Sequence, residues 1–322
     1  MRHPHARRFP AALEAAALTI SLLAGGVLGA GTASAATTGT PVTATAAPSA
    51  AQDGPPVARR ELRALEASFK GRIGAYAVDT ATGKTIAYRS GERFPLLSTF
   101  KAVVAAAVLH KARTSDPGLM SRVVRWTAAE VKPHSPVTGK HVKDGLTVAQ
   151  LCDAAVTQSD NTAGNMLLKQ IGGPAGLTRY FRTLKDPISR LDRWETELND
   201  WNPKERRDTT TPASMARDLR ALTAGDALHP KDRDRLNAWL IANQTGDKRI
   251  RAGLPKTWTV GDRTGTGGTY GTANDVAVIW PAKAAAPIIM SIYTNRRAAD
   301  AANDEKVIAD TATILARALG TL

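Results

Sequence analysis

The sequence is poor in cysteine. Its 322 residues include a single cysteine, Cys152, so it can form neither an intrachain disulfide nor a zinc site built from several cysteines. Cys152 lies inside a helical pattern, which predicts a buried structural thiol. The six histidines show no paired ligand spacing, and we therefore expect no metal site.

A basic stripe and a membrane-spanning run are also missing. Nothing after residue 35 is long and apolar enough to serve as a membrane anchor. The formal net charge is +14, which can attract nucleic acid or anionic surfaces. The basic residues are scattered, however, and aromatic residues make up 5% of the chain, so no nucleic-acid partner is predicted. The charge indicates solubility, or attraction to anionic cell-wall polymers or small anionic substrates.

The first 57 residues differ in composition from the rest. Residues 1–35 combine a basic start, an apolar segment and a small-residue pattern that predicts signal-peptide cleavage after Ala35. Arg7-Arg8 indicates twin-arginine export, with general secretion as the alternative. Residues 36–57, rich in Ala, Thr and Pro, are predicted to form a flexible linker. We expect a secreted protein whose folded domain spans residues 58–322.

Strand patterns occur at both ends of this domain, and helical patterns fill its middle. Strands are predicted at 72–79, 85–88, 258–263, 275–280 and 287–293. Helices are predicted at 59–69, from residue 98 onward, and at 148–157, 162–168, 174–184, 212–223, 232–242 and 302–319. This order predicts an α/β (α+β) domain with one antiparallel sheet assembled from both ends of the chain. The helical half would be inserted between them, with the active site between the two halves.

The stretch Ser98-Thr99-Phe100-Lys101 opens a helix of Ala, Val and Leu. Apolar residues on every side predict a buried helix with only its N-terminal end facing a cleft. Lys101 lies three residues after Ser98 and so on the same helix face. Free N–H groups at this end favour an anion formed at the serine. The serine hydroxyl, the lysine amine and the free N–H groups together indicate an activated nucleophile. The four residues 98–101 alone also fit an ordinary helix start with Ser98 as N-cap.

Three later segments carry polar groups that such a nucleophile would use. Ser159-Asp160-Asn161 is either a helix cap or a second hydroxyl beside an amide that binds substrate. In the loop 193–199, Glu195 and Asn199 can share one water molecule, the geometry of general-base hydrolysis. Arg263-Thr264-Gly265-Thr266 ends a strand with a cation, hydroxyls and small residues. A substrate backbone can lie along such an edge, with an anionic group at one end.

The order and spacing of these segments resemble those of the class A β-lactamases, from about residue 59 to the C terminus. Ser98-x-x-Lys101 and Ser159-Asp-Asn161 match that family's first two motifs. The third motif, usually Lys-Thr-Gly, has arginine at Arg263, as in carbenicillin-favouring members, and residues 193–199 resemble the omega loop. The resemblance implies the serine β-lactamase/D,D-peptidase fold. This fold has a five-stranded antiparallel sheet flanked by helices, plus an all-helical half.

The resemblance also implies a covalent route that needs no cofactor. Ser98 would attack the β-lactam carbonyl beside Lys101, with the backbone N–H groups of Ser98 and Thr266 as the oxyanion hole. Ser159 would pass a proton to the departing lactam nitrogen, and Glu195 would activate the hydrolytic water. Whether Lys101 or Glu195 takes the first proton is unsettled for the family.

A set of substrate contacts follows from the same resemblance. Asn161 would hold the substrate's side-chain amide. Arg263, Thr264 and Arg249 would bind its carboxylate, although Arg249 alone also fits a surface arginine. His134 stands where relatives have an aromatic gatekeeper, or on an ordinary surface loop. The implied substrate-binding residues are Asn161, Asn199, Arg263, Thr264, Gly265, Thr266, Arg249 and His134.

The expected activity is hydrolysis of penicillins, and of some cephalosporins, by a secreted monomer. A D,D-peptidase or penicillin-binding protein shares the serine, lysine and Ser-x-Asn motifs but lacks the hydrolytic glutamate, so Glu195 and Asn199 argue against it. A non-catalytic β-lactam or peptidoglycan sensor could keep the fold without Lys101 or Glu195, and both are present.

Overall fold

A computed structural model describes residues 55–282 and 284–322, all within one compact unit of the chain. The predicted leader, 1–35, and all but the last three residues of the predicted linker, 36–57, lie outside the described residues. Within the described part, no helix has the length and apolar character needed to cross a bilayer.

The described residues form eight α-helices. They are α1 (Pro56–Phe69), α2 (Phe100–Thr114), α3 (Val148–Thr157), α4 (Asn161–Gln170), α5 (Gly173–Thr183), α6 (Pro212–Thr223), α7 (Pro230–Ile241) and α8 (Glu305–Leu319). Thr147 and Gln150 form a capping box that starts α3, and Thr211 caps α6 ahead of Pro212. Side-chain caps and first-turn prolines therefore explain why these two helices begin at the predicted residues.

The first and last helices begin away from their predicted starts. α1 begins at Pro56, two residues before the predicted domain start. Proline is well suited to this position, because the N–H groups of a first helical turn have no acceptor within the helix and proline has no N–H to satisfy. α8 begins at Glu305 rather than 302, because Asp304 accepts the backbone N–H groups of Lys306 and Val307 and so caps the helix there.

The described strands include the predicted antiparallel sheet. They are β1 (Gly71–Asp79), β2 (Thr85–Tyr88), β3 (Phe94–Pro95), β4 (Val123–Val124), β5 (Leu146–Thr147), β6 (Thr209–Thr210), β7 (Thr259–Thr266), β8 (Ala273–Trp280) and β9 (Ile288–Arg296). Five of them pair in the order β2-β1-β9-β8-β7. Gly71 lies opposite Arg296, and Asp79 opposite Ile288. The N-terminal hairpin therefore pairs with the last strand, and both ends of the chain build one sheet.

Two apolar clusters hold the domain together, one on each face of the sheet. On one face, α1 and α8 pack against the strands through side chains such as Leu62 and Leu315. On the other lies the helical half, centred on α2, whose residues 100–109 are all buried. A fully buried Leu or Val side chain contributes roughly 1.5–3 kcal/mol. This burial fixes the N-terminal end of α2 against the edge strand β7.

Cys152 belongs to the cluster of the helical half and is fully buried. Burial raises the pKa of its thiol, so the thiolate is disfavoured. The prediction of a structural thiol is confirmed.

Candidate active site

Ser98 lies in a 3-10 turn, Leu97–Thr99, that runs directly into α2. The α-helix therefore begins at Phe100, two residues after its predicted start, and the hydroxyl of Ser98 makes no capping hydrogen bond. The interpretation of Ser98 as an N-cap is wrong. Leu97 has a φ of 49°, and a Cβ at Gly265 would lie 2.8 Å from its Cβ and 3.2 Å from Ser98 N. Only glycine lets β7 approach this turn so closely.

Lys101 contacts both other members of a buried polar triangle. Its Nζ donates to Ser98 Oγ at 3.0 Å and lies 3.0 Å from Glu195 Oε1. Ser98 Oγ donates to the same carboxylate oxygen at 3.3 Å. Burial lowers the pKa of Lys101 to about 8, and the Glu195 carboxylate opposes that shift. About one lysine in ten is then neutral at pH 7, so this amine can either hold or accept the serine proton.

Glu195 is fixed at both its backbone and its side chain. Asn199 Nδ2 donates directly to Glu195 Oε2 at 2.8 Å, so the two side chains that the sequence predicts to share a water molecule are also in contact with each other. Asn165 of α4 accepts from Glu195 N and donates to Glu195 O, both at 2.9 Å. The sequence argument missed Asn165, although its position four residues after Asn161, on the same helix face, was an available signal.

An ion pair closes the base of the loop that carries Glu195. Arg193 Nε lies 2.6 Å from Asp208 Oδ2, and Asp208 also accepts the backbone N–H groups of Asp192 and Arg193. Asp208 is buried, so these donors compensate its charge. Asp208 is not recognisable from the sequence, because its partners lie 15 and 16 residues away.

Ser159-Asp160-Asn161 caps a helix, as one interpretation predicts, and also lies next to Lys101. Asp160 caps α4 by accepting from Ala163 N. Lys101 Nζ donates to Ser159 O at 2.8 Å and to the amide oxygen of Asn161, and lies 3.5 Å from Ser159 Oγ. The segment therefore stabilises a helix start and also brings a second hydroxyl and an amide to the nucleophile.

Arg263 connects the third motif to the second. Its Nη2 donates to Ser159 Oγ at 2.6 Å, and its Nη1 donates to Thr264 O at 2.7 Å. The side chain is fully buried, and burial lowers the pKa of Arg263 to about 10. The guanidinium therefore remains charged at neutral pH and holds a positive charge against the hydroxyl of Ser159.

These groups border a cavity of about 350 Å³ in which most of the predicted substrate-binding side chains meet. It is lined by Ser98, His134, Ser159, Asn161, Asn199, Thr245, Arg249, Thr264, Gly265, Thr266 and Glu305. Arg263, Lys101 and Glu195 are buried against its wall. Thr245 and Glu305 were not predicted from the sequence. Thr245 reaches the cavity through its contact with Thr264, and Glu305 through its contact with Arg249.

Arg249 is not a surface arginine, so that alternative is wrong. Its side chain is almost fully buried, with Nη1 donating to Gly265 O at 2.8 Å and to Asn274 O at 2.7 Å. Nη2 donates to Thr266 Oγ1 at 2.6 Å, and Nε lies 3.3 Å from Glu305 Oε1. Arg249 therefore presents a positive charge to the cavity while it ties together the ends of β7 and β8.

His134 lies at the rim of the cavity and is exposed. Its ring Nε2 is 3.1 Å from Gln158 O, and its backbone carbonyl accepts from Asn161 N at 3.1 Å. The residue is thus both a surface-loop histidine and a side chain of the cavity mouth. Within residues 55–282 and 284–322, no group of three or more His, Cys, Asp or Glu side chains could hold a metal ion.

Known proteins are similar to this chain over most of its length. The model of the β-lactamase enzyme family matches residues 57–319. β-Lactamase AST-1 of Nocardia asteroides is 50% identical over 264 residues, covering 82% of this chain and 84% of that protein. The carbapenem-hydrolyzing β-lactamase KPC of Klebsiella oxytoca is 47% identical over 256 residues, covering 80% and 87%.

Solved structures agree with the fold. A crystal structure of a β-lactamase from Streptosporangium roseum matches with 81% identity and a TM-score of 0.82, covering 83% of this chain and 99% of that one. An ancestral class A β-lactamase matches with 51% identity and a TM-score of 0.78, covering 81% and 99%. The chain belongs to the class A β-lactamases, the serine enzymes that hydrolyse β-lactam antibiotics.

Proposed function

We propose that Ser98 is the nucleophile of this β-lactamase and that Lys101 and Glu195 divide the proton transfers between the two half-reactions. The observation that carries the proposal is the position of Lys101 Nζ, 3.0 Å from both Ser98 Oγ and Glu195 Oε1. A hydroxyl, an amine and a carboxylate within hydrogen-bond reach of one another are the parts of an activated nucleophile.

In acylation, Ser98 Oγ attacks the lactam carbonyl carbon and its proton passes to Lys101 or Glu195. The lactam C–N bond breaks, and Ser159 donates a proton to the departing nitrogen. Ser159 is suited to this step because Lys101 Nζ and Arg263 Nη2 both lie at its oxygen, at 3.5 and 2.6 Å. Two cations at one hydroxyl favour the alkoxide that remains after it has donated.

The oxyanion would be bound by the backbone N–H groups of Ser98 and Thr266. The close approach of Gly265 to Ser98 N supports this assignment, because it brings the end of β7 beside the serine. One such donor typically contributes about 3 kcal/mol to the transition state.

In deacylation, Glu195 takes a proton from water, which attacks the ester carbon, and Ser98 Oγ leaves and regains its proton. Support comes from Asn199 and Asn165, which fix the Glu195 side chain and backbone without occupying Oε1. A fixed general base contributes typically 10²–10⁴-fold to such a step.

The substrate carboxylate would be bound at the positive end of the cavity. Thr264, Thr266 and the Nη2 of Arg249 face that end, with the charge of Arg263 behind them. Asn161 would bind the substrate's side-chain amide, and His134 would contact that side chain at the rim. The proposed substrates are penicillins and some cephalosporins. Relatives named as carbapenem-hydrolyzing and imipenem-hydrolyzing add a carbapenem to the panel worth measuring.

We also propose that the enzyme is exported as a monomer after cleavage following Ala35, leaving residues 36–57 as a linker to the catalytic domain. The composition of residues 1–35 supports this. N-terminal sequencing of the secreted protein should begin at Ala36. Replacing Arg7 and Arg8 with lysine should block export by the twin-arginine route, and normal secretion would indicate general secretion.

The test of function is turnover of benzylpenicillin and a chromogenic cephalosporin by the wild type, Ser98→Ala and a control, Ser115→Ala. Ser115 is an exposed serine at the end of α2. The wild type and the control should hydrolyse many equivalents, and Ser98→Ala should lose at least about a thousandfold in kcat. One equivalent of acylation without turnover in the wild type would support a D,D-peptidase instead.

A further inference from the structure

The last turn of α1 and the connection after β9 enclose a second cavity, of about 920 Å³. The two segments meet because Gly71, which follows α1 directly, pairs with Arg296 at the end of β9. No residue that lines this cavity also lines the cavity at Ser98. We call it the basic cleft and define it by Arg63, Ala67, Lys70, Arg297, Ala298 and Ala301.

Small residues alternate with cations along both walls of the basic cleft. Arg63 and Ala67 are spaced i and i+4 on α1 and so share one helix face, and Lys70 directly follows α1 in the left-handed conformation, with a φ of 55°. Ala298 and Ala301 lie on the other wall, next to Arg297. The alanines leave open space, and the long cationic side chains stand at its border.

The other charges beside the basic cleft are compensated. Arg72 binds Glu92 and Asn295. Arg89 binds Glu92 and Glu66, and Glu66 also accepts from Tyr88 and from Ile73 N.

Three cations of the basic cleft itself differ from these neighbours. Among the residues that the structure describes, the side chains of Arg63, Lys70 and Arg297 have no hydrogen-bond or ion-pair partner, and all three are exposed. Three uncompensated positive charges therefore converge on one concave surface. Such an arrangement attracts an anion more strongly than scattered charges do.

We propose that the basic cleft binds an anion that carries two or more phosphate groups. Guanidinium groups match phosphate oxygens in a bidentate geometry. Arg63 lies in α1 and Lys70 directly follows it, so at the helical rise their Cα atoms are about 10 Å apart. Two separate phosphates therefore bind these cations better than a single phosphate does. Free oligophosphates and phosphodiester polymers share this chemistry.

The test is isothermal titration calorimetry of the secreted protein with tripolyphosphate, a short poly(glycerol phosphate) and inorganic phosphate. The cleft variant is Arg63→Gln with Arg297→Gln. The control is Arg220→Gln with Lys256→Gln, which makes the same change in net charge at exposed cations outside the cleft. Hydrolysis of a chromogenic cephalosporin should be unchanged in both, which checks that they fold.

Tripolyphosphate or the polymer should bind the wild type at least tenfold more tightly than inorganic phosphate, and the tighter of the two identifies the source. The cleft variant should lose at least tenfold in affinity, the control less than twofold. Equal losses in the two variants would mean diffuse charge attraction and would overturn the proposal. Absence of binding by both probes, or equally tight binding of inorganic phosphate, would also overturn it.

Discussion

Lys101 Nζ and Glu195 Oε1 lie 3.0 Å apart, and neither side chain has exposed surface. The Glu195 carboxylate therefore favours the protonated form of Lys101 against the effect of burial on its pKa. Removing one partner of such a buried pair leaves an uncompensated charge, which typically costs 3–5 kcal/mol. The pair also links the two half-reactions. Glu195, the proposed base of deacylation, raises the pKa of Lys101, which can accept the serine proton in acylation.

The first prediction concerns the pH dependence of acylation in Glu195→Gln. The Glu195 carboxylate raises the pKa of Lys101 against the effect of burial, so its loss should move that pKa below 8. Neutral lysine is the form that accepts a proton, so acylation should rise with pH through a midpoint below 8. Stopped-flow acylation by benzylpenicillin measures the profile.

Glu197→Gln is the matched control, since Glu197 lies on the same loop but is exposed and pairs with Lys132. Its midpoint should stay near that of the wild type. An alkaline shift in Glu195→Gln would contradict the proposed coupling.

The second prediction concerns Arg263. Arg263→Lys keeps a charge near Ser159 and should retain kcat/KM for benzylpenicillin within about tenfold, since one charge-assisted hydrogen bond replaces another. Arg263→Ala should lose far more, because it also leaves the buried Asp262 and Asp275 without this cation. Specificity constants for benzylpenicillin and carbenicillin, together with Tm, separate activity from folding. The lysine variant should lose more kcat/KM for carbenicillin than for benzylpenicillin. A lysine variant as inactive as the alanine variant would show that the planar, two-pronged guanidinium of Arg263 is essential.

The third prediction separates two neighbouring arginines. Arg249→Ala should raise KM for penicillins at least tenfold, because Arg249 presents its charge to the active-site cavity. Lys248→Ala, the exposed neighbour, should leave KM unchanged. Arg251→Ala should instead lower the free energy of unfolding by about 3 kcal/mol, because Arg251 pairs with the buried Asp262. Equal KM values for Arg249→Ala and Lys248→Ala would count against the anchor.

The fourth prediction concerns a buried acid of α6. Burial and the nearby Asp186 carboxylate raise the pKa of Asp218 to about 10, against about 3.9 in the unfolded chain. The folded state therefore holds one more proton between these values, and this residue makes stability fall as pH rises through that window.

Asp218→Asn removes that titration and should stabilise the fold at pH 8 by on the order of 2 kcal/mol, with a gain that shrinks toward pH 4. Asp226→Asn, an exposed control, should change stability little at either pH. Urea unfolding at several pH values measures both. If Asp218→Asn destabilised the fold, or raised the free energy of unfolding equally at every pH, the raised pKa of Asp218 would be refuted.

Local signals explain most of what the sequence predicted correctly. α6 begins and ends at the predicted residues, Pro212 and Thr223, because Thr211 and a first-turn proline fix its start. The apolar residues of α2 predicted its burial. The order and spacing of the motifs predicted that Ser98, Lys101, Ser159 and Arg263 would lie in one site, because the proposed reaction requires a particular side chain at each position.

What the sequence did not predict depends on contacts between distant segments. The 3-10 turn at Leu97 reflects the passage of β7 at Gly265. The burial of Arg249 arises from carbonyl groups at the ends of β7 and β8. Glu305 reaches the site through its contact with Arg249, and no local pattern distinguishes it from other polar helix residues.

The central claim is that Glu195 is the base of deacylation while Ser98 carries the acyl group. Intact-mass spectrometry of Glu195→Ala after brief mixing with benzylpenicillin tests it most directly. We expect a long-lived species heavier by one penicillin, with the adduct on the peptide that contains Ser98. Turnover at the wild-type rate, or an adduct on any other residue, would contradict it.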